Sequence, residues 1–156
     1  QIFQVANCVA CHRYHGVGNE IGPDLTKLDP KMTPADILKD ILEPSAKINE
    51  KYQTYVFETE AGKILSGPVL EDSPERIKLI ENPLAKADPV VLKPSEVVDR
   101  AKSPNSIMPK GLLDKLTRDE ILDLVAYVAS RGDVKSPLFQ GGGHEHAHAT
   151  GSGPGH

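Results

Sequence analysis

The chain has 156 residues, a formal net charge of −4 and 38% apolar residues, with no tryptophan and 4% aromatic residues. That length suits one domain with additions, and the acidic balance argues against a nucleic-acid partner. No apolar run approaches the roughly 20 residues that a membrane-spanning helix needs, and a core this poor in large rings leaves room for a group that is not a side chain.

From the N-terminus, QIFQVAN reads as the end of a helix, with Ile2, Phe3 and Ala6 on one side. The chain opens on Gln1, so it reads as a mature or excised piece, and the lack of a visible secretory signal carries little weight. Residues 13–30 are predicted to be loop, punctuated by Gly16, Gly18, Gly22, Pro23 and Pro30. A helix then starts at TPAD: Thr33 is the N-cap, Pro34 sits in the first turn and Asp36 completes a capping box. Ile37, Leu38, Ile41 and Leu42 form its apolar face, and Glu43-Pro44 ends it. Met32 precedes the cap, where a hydrophobic staple against Ile37 accounts for it better than metal ligation does.

From Tyr52 to Leu92 the pattern is that of strands. YQTYVFET and KILSGPVL flank an Ala61-Gly62 turn as a hairpin, and ERIKLIE and PVVL are two further short strands. Gly67-Pro68 and Pro89 point to edges or bulges there, not to central strands. The helical period returns with a capping box at Thr117–Glu120, then Ile121, Leu124, Val125 and Val128, and Gly132 stops the helix. After Pro137 the chain becomes a Gly/His-rich tail, expected to be disordered. His144, His146 and His148 alternate there, which fits a weak adventitious site for copper or nickel.

The chemistry concentrates in NCVACHRYHG, residues 7–16, which hold the only two cysteines, Cys8 and Cys11, followed at once by His12. Three readings compete. A thioredoxin-like dithiol needs a strand before the CxxC and a βαβ unit after it, and neither is visible. A structural zinc site needs four ligands, usually as two pairs, and only His15 and the tail could complete this one. A Cys-x-x-Cys-His run is the signature of covalent c-type haem attachment, with the two thiols as thioethers and the histidine beneath the iron. Two further stretches favour the third reading. In SIMPKGL, Met108 is a soft thioether ligand held extended by Pro109. In IGPDLT, the carbonyl of Pro23 could take the second ring N–H that a metal-bound histidine donates.

These pieces together resemble a class I cytochrome c, and more narrowly the planctomycete-type haem-binding domain found at the C-terminal end of larger dehydrogenase chains. The resemblance runs over IFQVANCVACHRYHGVGNEIGPDLT, ILEPSAKI and SIMPKGLLDKLTRDEILDLVAYV, about residues 1–132. It implies a mainly α fold, with class I cytochrome c helices around one covalent haem c and a small β segment, about 52–93, inserted between the second helix and the Met loop. The expected division is a cytochrome c domain over 1–136 and, from its composition, a disordered His/Gly-rich tail over 137–156. The resemblance further implies that Cys8 and Cys11 carry the haem, His12 is the proximal and Met108 the distal ligand, Pro23 accepts from His12, and Leu25 packs on the ring. Phe3 and Tyr127 match the aromatics of the two terminal helices, which cross closely in that family. The glycine that usually lies one turn before the phenylalanine would fall before Gln1, so the first helix is cut short here.

His12 and Met108 lie further apart in sequence than in a minimal class I cytochrome, and the excess is mostly the β segment. A flap over one haem edge is expected of it, rather than a docking surface for a redox partner. Filled axial positions suit one-electron transfer, not catalysis. The expected partners are a redox donor and acceptor, with an upstream dehydrogenase domain as one source of electrons, and the expected location is periplasmic or otherwise exported. Two alternatives stay open: a peroxidase or small-ligand sensor if Met108 does not ligate, and a metal-binding interaction module using Cys8, Cys11 and the tail histidines.

Overall fold

The computed structural model describes residues 2–83, 85 and 88–139. The expectations for the tail beyond Phe139, its histidines included, lie outside the described residues.

Three helices form one part of the molecule: α1 (Ile2–Val5), α2 (Pro34–Leu42) and α3 (Arg118–Ala129). The last two start with the same device. In α2 the Asp36 N–H donates to Thr33 Oγ1 at 3.2 Å, and the Thr33 N–H donates back to Asp36 Oδ2 at 2.8 Å. In α3 the Glu120 N–H donates to Thr117 Oγ1 at 3.3 Å, and the Thr117 N–H to Glu120 Oε2 at 2.8 Å. Each reciprocal pair satisfies two donors that a helix start would otherwise leave bare. The inner faces bury Ile37, Leu124, Val125 and Val128. Ile37, Leu124 and Val128 join Phe3, Ala6, Tyr14 and Leu113 in one core cluster. The chain leaves α3 through two successive left-handed residues, Arg131 (φ 50°) and Gly132 (φ 80°), so Gly132 is not alone in the stop.

The second part is a five-stranded antiparallel sheet in the order β4-β3-β2-β1-β5. Its strands are β1 (Thr54–Thr59), β2 (Ile64–Asp72), β3 (Ile77–Leu79), β4 (Val90–Leu92) and β5 (Val97–Lys102). The hairpin pairs Thr54 with Pro68 through Glu58 with Ile64. β2 is the middle strand of the five, contrary to the non-central place that its Gly-Pro suggested, and the ladder is irregular just after it, between Val69 and Glu71, opposite β3. Gly67 is there because a Cβ would meet the Ile80 carbonyl oxygen at 2.0 Å. β4 and β5 occupy opposite ends of the strand order, yet only residues 93–96 join them. A flat sheet would separate them by four strand spacings, roughly 19 Å, whereas five residue steps reach at most about 18 Å even fully extended. The sheet therefore curls until its ends approach, and its interior is a second core of Phe57, Ile77, Leu79 and Leu92.

This corrects the mainly α expectation. Two helices of ordinary length and one of four residues share the chain with a sheet that runs on to Lys102, past the expected limit of about 93. The strand that escaped the sequence pattern is β5. Only Val97 of VVDRAK is half-buried and the rest is exposed, so no alternation marks it. It is held by backbone pairing to β1 and by Arg100, whose guanidinium lies 4.5 Å from the Tyr55 ring centre and bonds Asp72 at 2.6 Å.

The sheet is tied where the chain enters and leaves it. Gln53 Nε2 donates to the Ser103 carbonyl at 2.9 Å, the Ser103 N–H to the Thr54 carbonyl at 2.9 Å, and Thr54 Oγ1 to the Asn105 carbonyl at 3.3 Å. These bonds return the chain beside its point of departure, so the loop bearing Met108 comes back to the end of α2.

Candidate functional site

Asn7 turns left-handed (φ 58°) after α1, and Cys8–Ala10 wind a short 3-10 turn. The Cys11 and His12 N–H groups both donate to the Cys8 carbonyl, at 3.1 and 2.8 Å. Both thiols and the imidazole thus leave a single turn of chain. The cysteines are not joined to each other. Burial pushes the Cys8 thiol up to about 11 and raises Cys11 as well. That is the opposite of the lowered pKa of a reactive dithiol, and a helix rather than a strand precedes the motif.

His12 Nδ1 lies 2.8 Å from the Pro23 carbonyl oxygen. A carbonyl only accepts, so Nδ1 carries the proton and Nε2 keeps its lone pair. Burial lowers the His12 pKa and outweighs that hydrogen bond, which acts to raise it. The ring is therefore neutral near pH 7, the form that ligates a metal. Gly22 supports the same face: a Cβ there would sit 2.7 Å from His12 Cε1 and 2.9 Å from Nδ1.

The imidazole opens onto a cavity of about 430 Å³, within the range of cofactor sites. Cys11, His12, Pro23 and Leu25 form one part of its wall, Ile37, Ile41 and Pro44 of the α2 segment another, and Tyr52, Ile107 and Met108 a third. Met32 lines it too, and also packs against the core cluster that contains Ile37. Cys8 is not on the wall; it packs against the helical core. No residue of β1–β5 reaches the cavity. Of the inserted segment, Tyr52 at its start is on the wall.

Several residues here had no distinctive sequence signal. Tyr14, buried, donates its hydroxyl to the Tyr127 carbonyl at 2.6 Å and packs on Phe3 and Tyr127 with ring centres 5.4 and 4.7 Å away. Phe3 and Tyr127 themselves meet edge-on at 5.8 Å. His15, which the zinc reading would have used, donates from Nε2 to the Arg131 carbonyl at 3.0 Å. Arg131 in turn donates to the carbonyls of Leu28 (3.2 Å) and Asp29 (2.7 Å). The end of α3 is thus clasped to the loop that carries the CxxCH motif. Among the described residues no three of His, Cys, Asp and Glu converge as a metal site.

Residues 1–66 match the family model of cytochrome c. That family binds covalent c-type haem and is generally an electron carrier. The matched stretch contains Cys8, Cys11, His12, Pro23 and Leu25 and ends well before Met108. No curated protein matches the chain. The site residues fit the group: two free thiols and a histidine leave one turn, the histidine has its lone pair free, and a cofactor-sized cavity lies beside it. No described helix is long and apolar enough to cross a membrane.

Proposed function

We propose that this chain is a one-electron carrier in which Cys8 and Cys11 hold haem c as thioethers, His12 Nε2 is the proximal ligand and Met108 the distal one. The observation that carries the reading is that His12 and Met108, far apart in sequence, line one cavity. Haem held by His12 and Met108 would supply one-electron transfer rather than substrate chemistry. The chain's part is positional. Pro23 fixes the tautomer and direction of His12, Leu25 and Ile41 keep the cavity apolar, and Pro109 restricts the backbone of Met108. The cysteines fix the group's location covalently. Because such haem is attached outside the cytoplasm, the setting is exported. The partners are a redox donor and acceptor, one of which is a dehydrogenase domain in the planctomycete-type arrangement.

The mature protein should weigh one haem more than its sequence after denaturation and acid–acetone extraction; an extractable haem, or none, overturns the reading. The oxidised protein should show the weak near-infrared methionine-to-iron band. Met108→Ala should abolish it, lower the potential and admit cyanide. Met32→Ala is the necessary companion, because Met32 shares the cavity wall, and it should leave the band in place. If Met108→Ala keeps the band, Met108 is not the ligand.

A further inference from the structure

We propose that Ser45 is a positioning residue for Met108, acting through Ser106; this rests on Met108 being the distal ligand. The Ser106 N–H donates to Ser45 Oγ at 2.9 Å, and the Met108 N–H donates to Ser106 Oγ at 3.1 Å. The two hydroxyls form a relay from the end of α2 to the backbone of the methionine. Its first bond, Ser45 to Ser106, spans 61 positions of sequence, and the whole sheet lies between those two residues.

The geometry gives the relay a task that the sheet does not perform. No strand residue lines the cavity, so the packed core of Phe57, Ile77, Leu79 and Leu92 cannot set the depth of Met108 directly. The stem bonds of Gln53, Thr54 and Ser103 bring the chain back but stop at Asn105. From Ser106 onward the loop is joined to the α2 end through Ser45, which follows the buried Pro44 in a turn closed by the Ala46 N–H on the Glu43 carbonyl at 3.0 Å. Pro44 and Ile41 on one side, and Ile107 and Met108 on the other, are walls of the same cavity. The relay therefore fixes the distance between two walls. It also satisfies two loop N–H groups that would otherwise need another acceptor. A serine hydroxyl serves because it accepts while remaining free to donate. With Pro109 restricting the residue before it, Met108 is constrained from both its N–H side and its C-terminal side.

The test uses the haem-loaded protein and three variants, Ser45→Ala, Ser106→Ala and Ser45→Thr. Two readings are taken on oxidised protein: the pH at which the near-infrared band is lost, and the rate of cyanide binding. Ser45→Ala and Ser106→Ala should each lose the band at lower pH and bind cyanide faster, by up to roughly tenfold, the range that one neutral hydrogen bond covers. The double variant should fall short of the product of the single effects, because both act on one relay. Ser45→Thr keeps the hydroxyl and should restore both readings. If Ser45→Ala does not mature, Ser106→Ala reads the same relay one step later. Wild-type band and cyanide rate in both alanine variants, or failure of Ser45→Thr to restore them, overturns the proposal even where thermal stability falls. A band that survives Met108→Ala overturns the ligand assignment instead, so the two failures are told apart.

Discussion

One methyl group at Gly22 would decide the pose of His12. The position is constrained by space, since an added Cβ would lie 2.7 Å from Cε1 and the ring must give way. The ring cannot move freely, because its Nδ1 is bonded to the carbonyl of the next residue, Pro23. Gly22→Ala should therefore break that bond. Partners that orient a metal-ligating histidine are typically worth 10–100-fold in affinity or activity. The expected result is a large fall in the fraction of chains carrying haem, read from the ratio of haem to protein absorbance, and a shifted potential in those that do. Haem content and potential equal to wild type would show that the ring tolerates the displacement. Tyr14→Phe is the contrasting change nearby. It removes a 2.6 Å bond to the Tyr127 carbonyl but keeps the ring stack, and that carbonyl still accepts from Ser130 Oγ at 2.8 Å. A loss of about 1 kcal/mol in thermal or denaturant unfolding is expected, with normal haem content.

At the scale of elements, the caps make a prediction with a sign. The Asp36 carboxylate accepts from the side chain and backbone of Thr33, and these bonds hold its pKa below the ordinary carboxylate value. A depressed folded-state pKa contributes stability that is fully present above the unfolded value of about 3.9. That contribution is lost as pH falls through the lower folded value. Asp36→Asn should thus be less stable than wild type near neutrality, and the gap should close as unfolding is followed from pH 7 to below about 4. A gap that stays constant with pH would mean the charge plays no part in the cap. Thr33→Ala should cost about 1 kcal/mol. These two helices were legible in the sequence because a capping box is local: Thr33 with Asp36, and Thr117 with Glu120, are read within four residues. The CxxCH turn was legible for the same reason. β5 was not, since its residues are exposed and its partner β1 lies some forty positions away. The clasp of His15 and Arg131 was also hidden, because a histidine bonded to a distant carbonyl leaves no pattern. Gly22 read as part of a Gly-Pro turn, and only the folded ring against it shows what the missing side chain is for.

At the scale of the whole molecule, the described residues form two cores, and the loop of Met108 runs from the sheet to α3. The helical cluster holds Phe3, Tyr14, Leu124 and Val128, while the sheet cluster holds Phe57, Ile77, Leu79 and Leu92. The CxxCH turn belongs to the helical side, with Cys8 and Val9 packed against that cluster. The loop of Met108 leaves the sheet at Lys102 and is tied at its stem to Gln53 and Thr54. Weakening one core should therefore act on one of the two proposed ligands, His12 and Met108, more than on the other. Phe57 is fully buried at 0% exposure, so Phe57→Ala should cost roughly 3–5 kcal/mol in the sheet. Leu124, at 2% exposure, is the corresponding residue of the helical core, and Leu124→Ala should cost roughly 2–5 kcal/mol there. In a denaturant titration of the oxidised, haem-loaded protein, Phe57→Ala should lose the near-infrared methionine band well before the far-ultraviolet helix signal. Leu124→Ala should bring the helix signal down to meet it. Coincident transitions in the Phe57→Ala variant would mean that the two cores unfold as one unit and that the sheet has no separate hold on Met108.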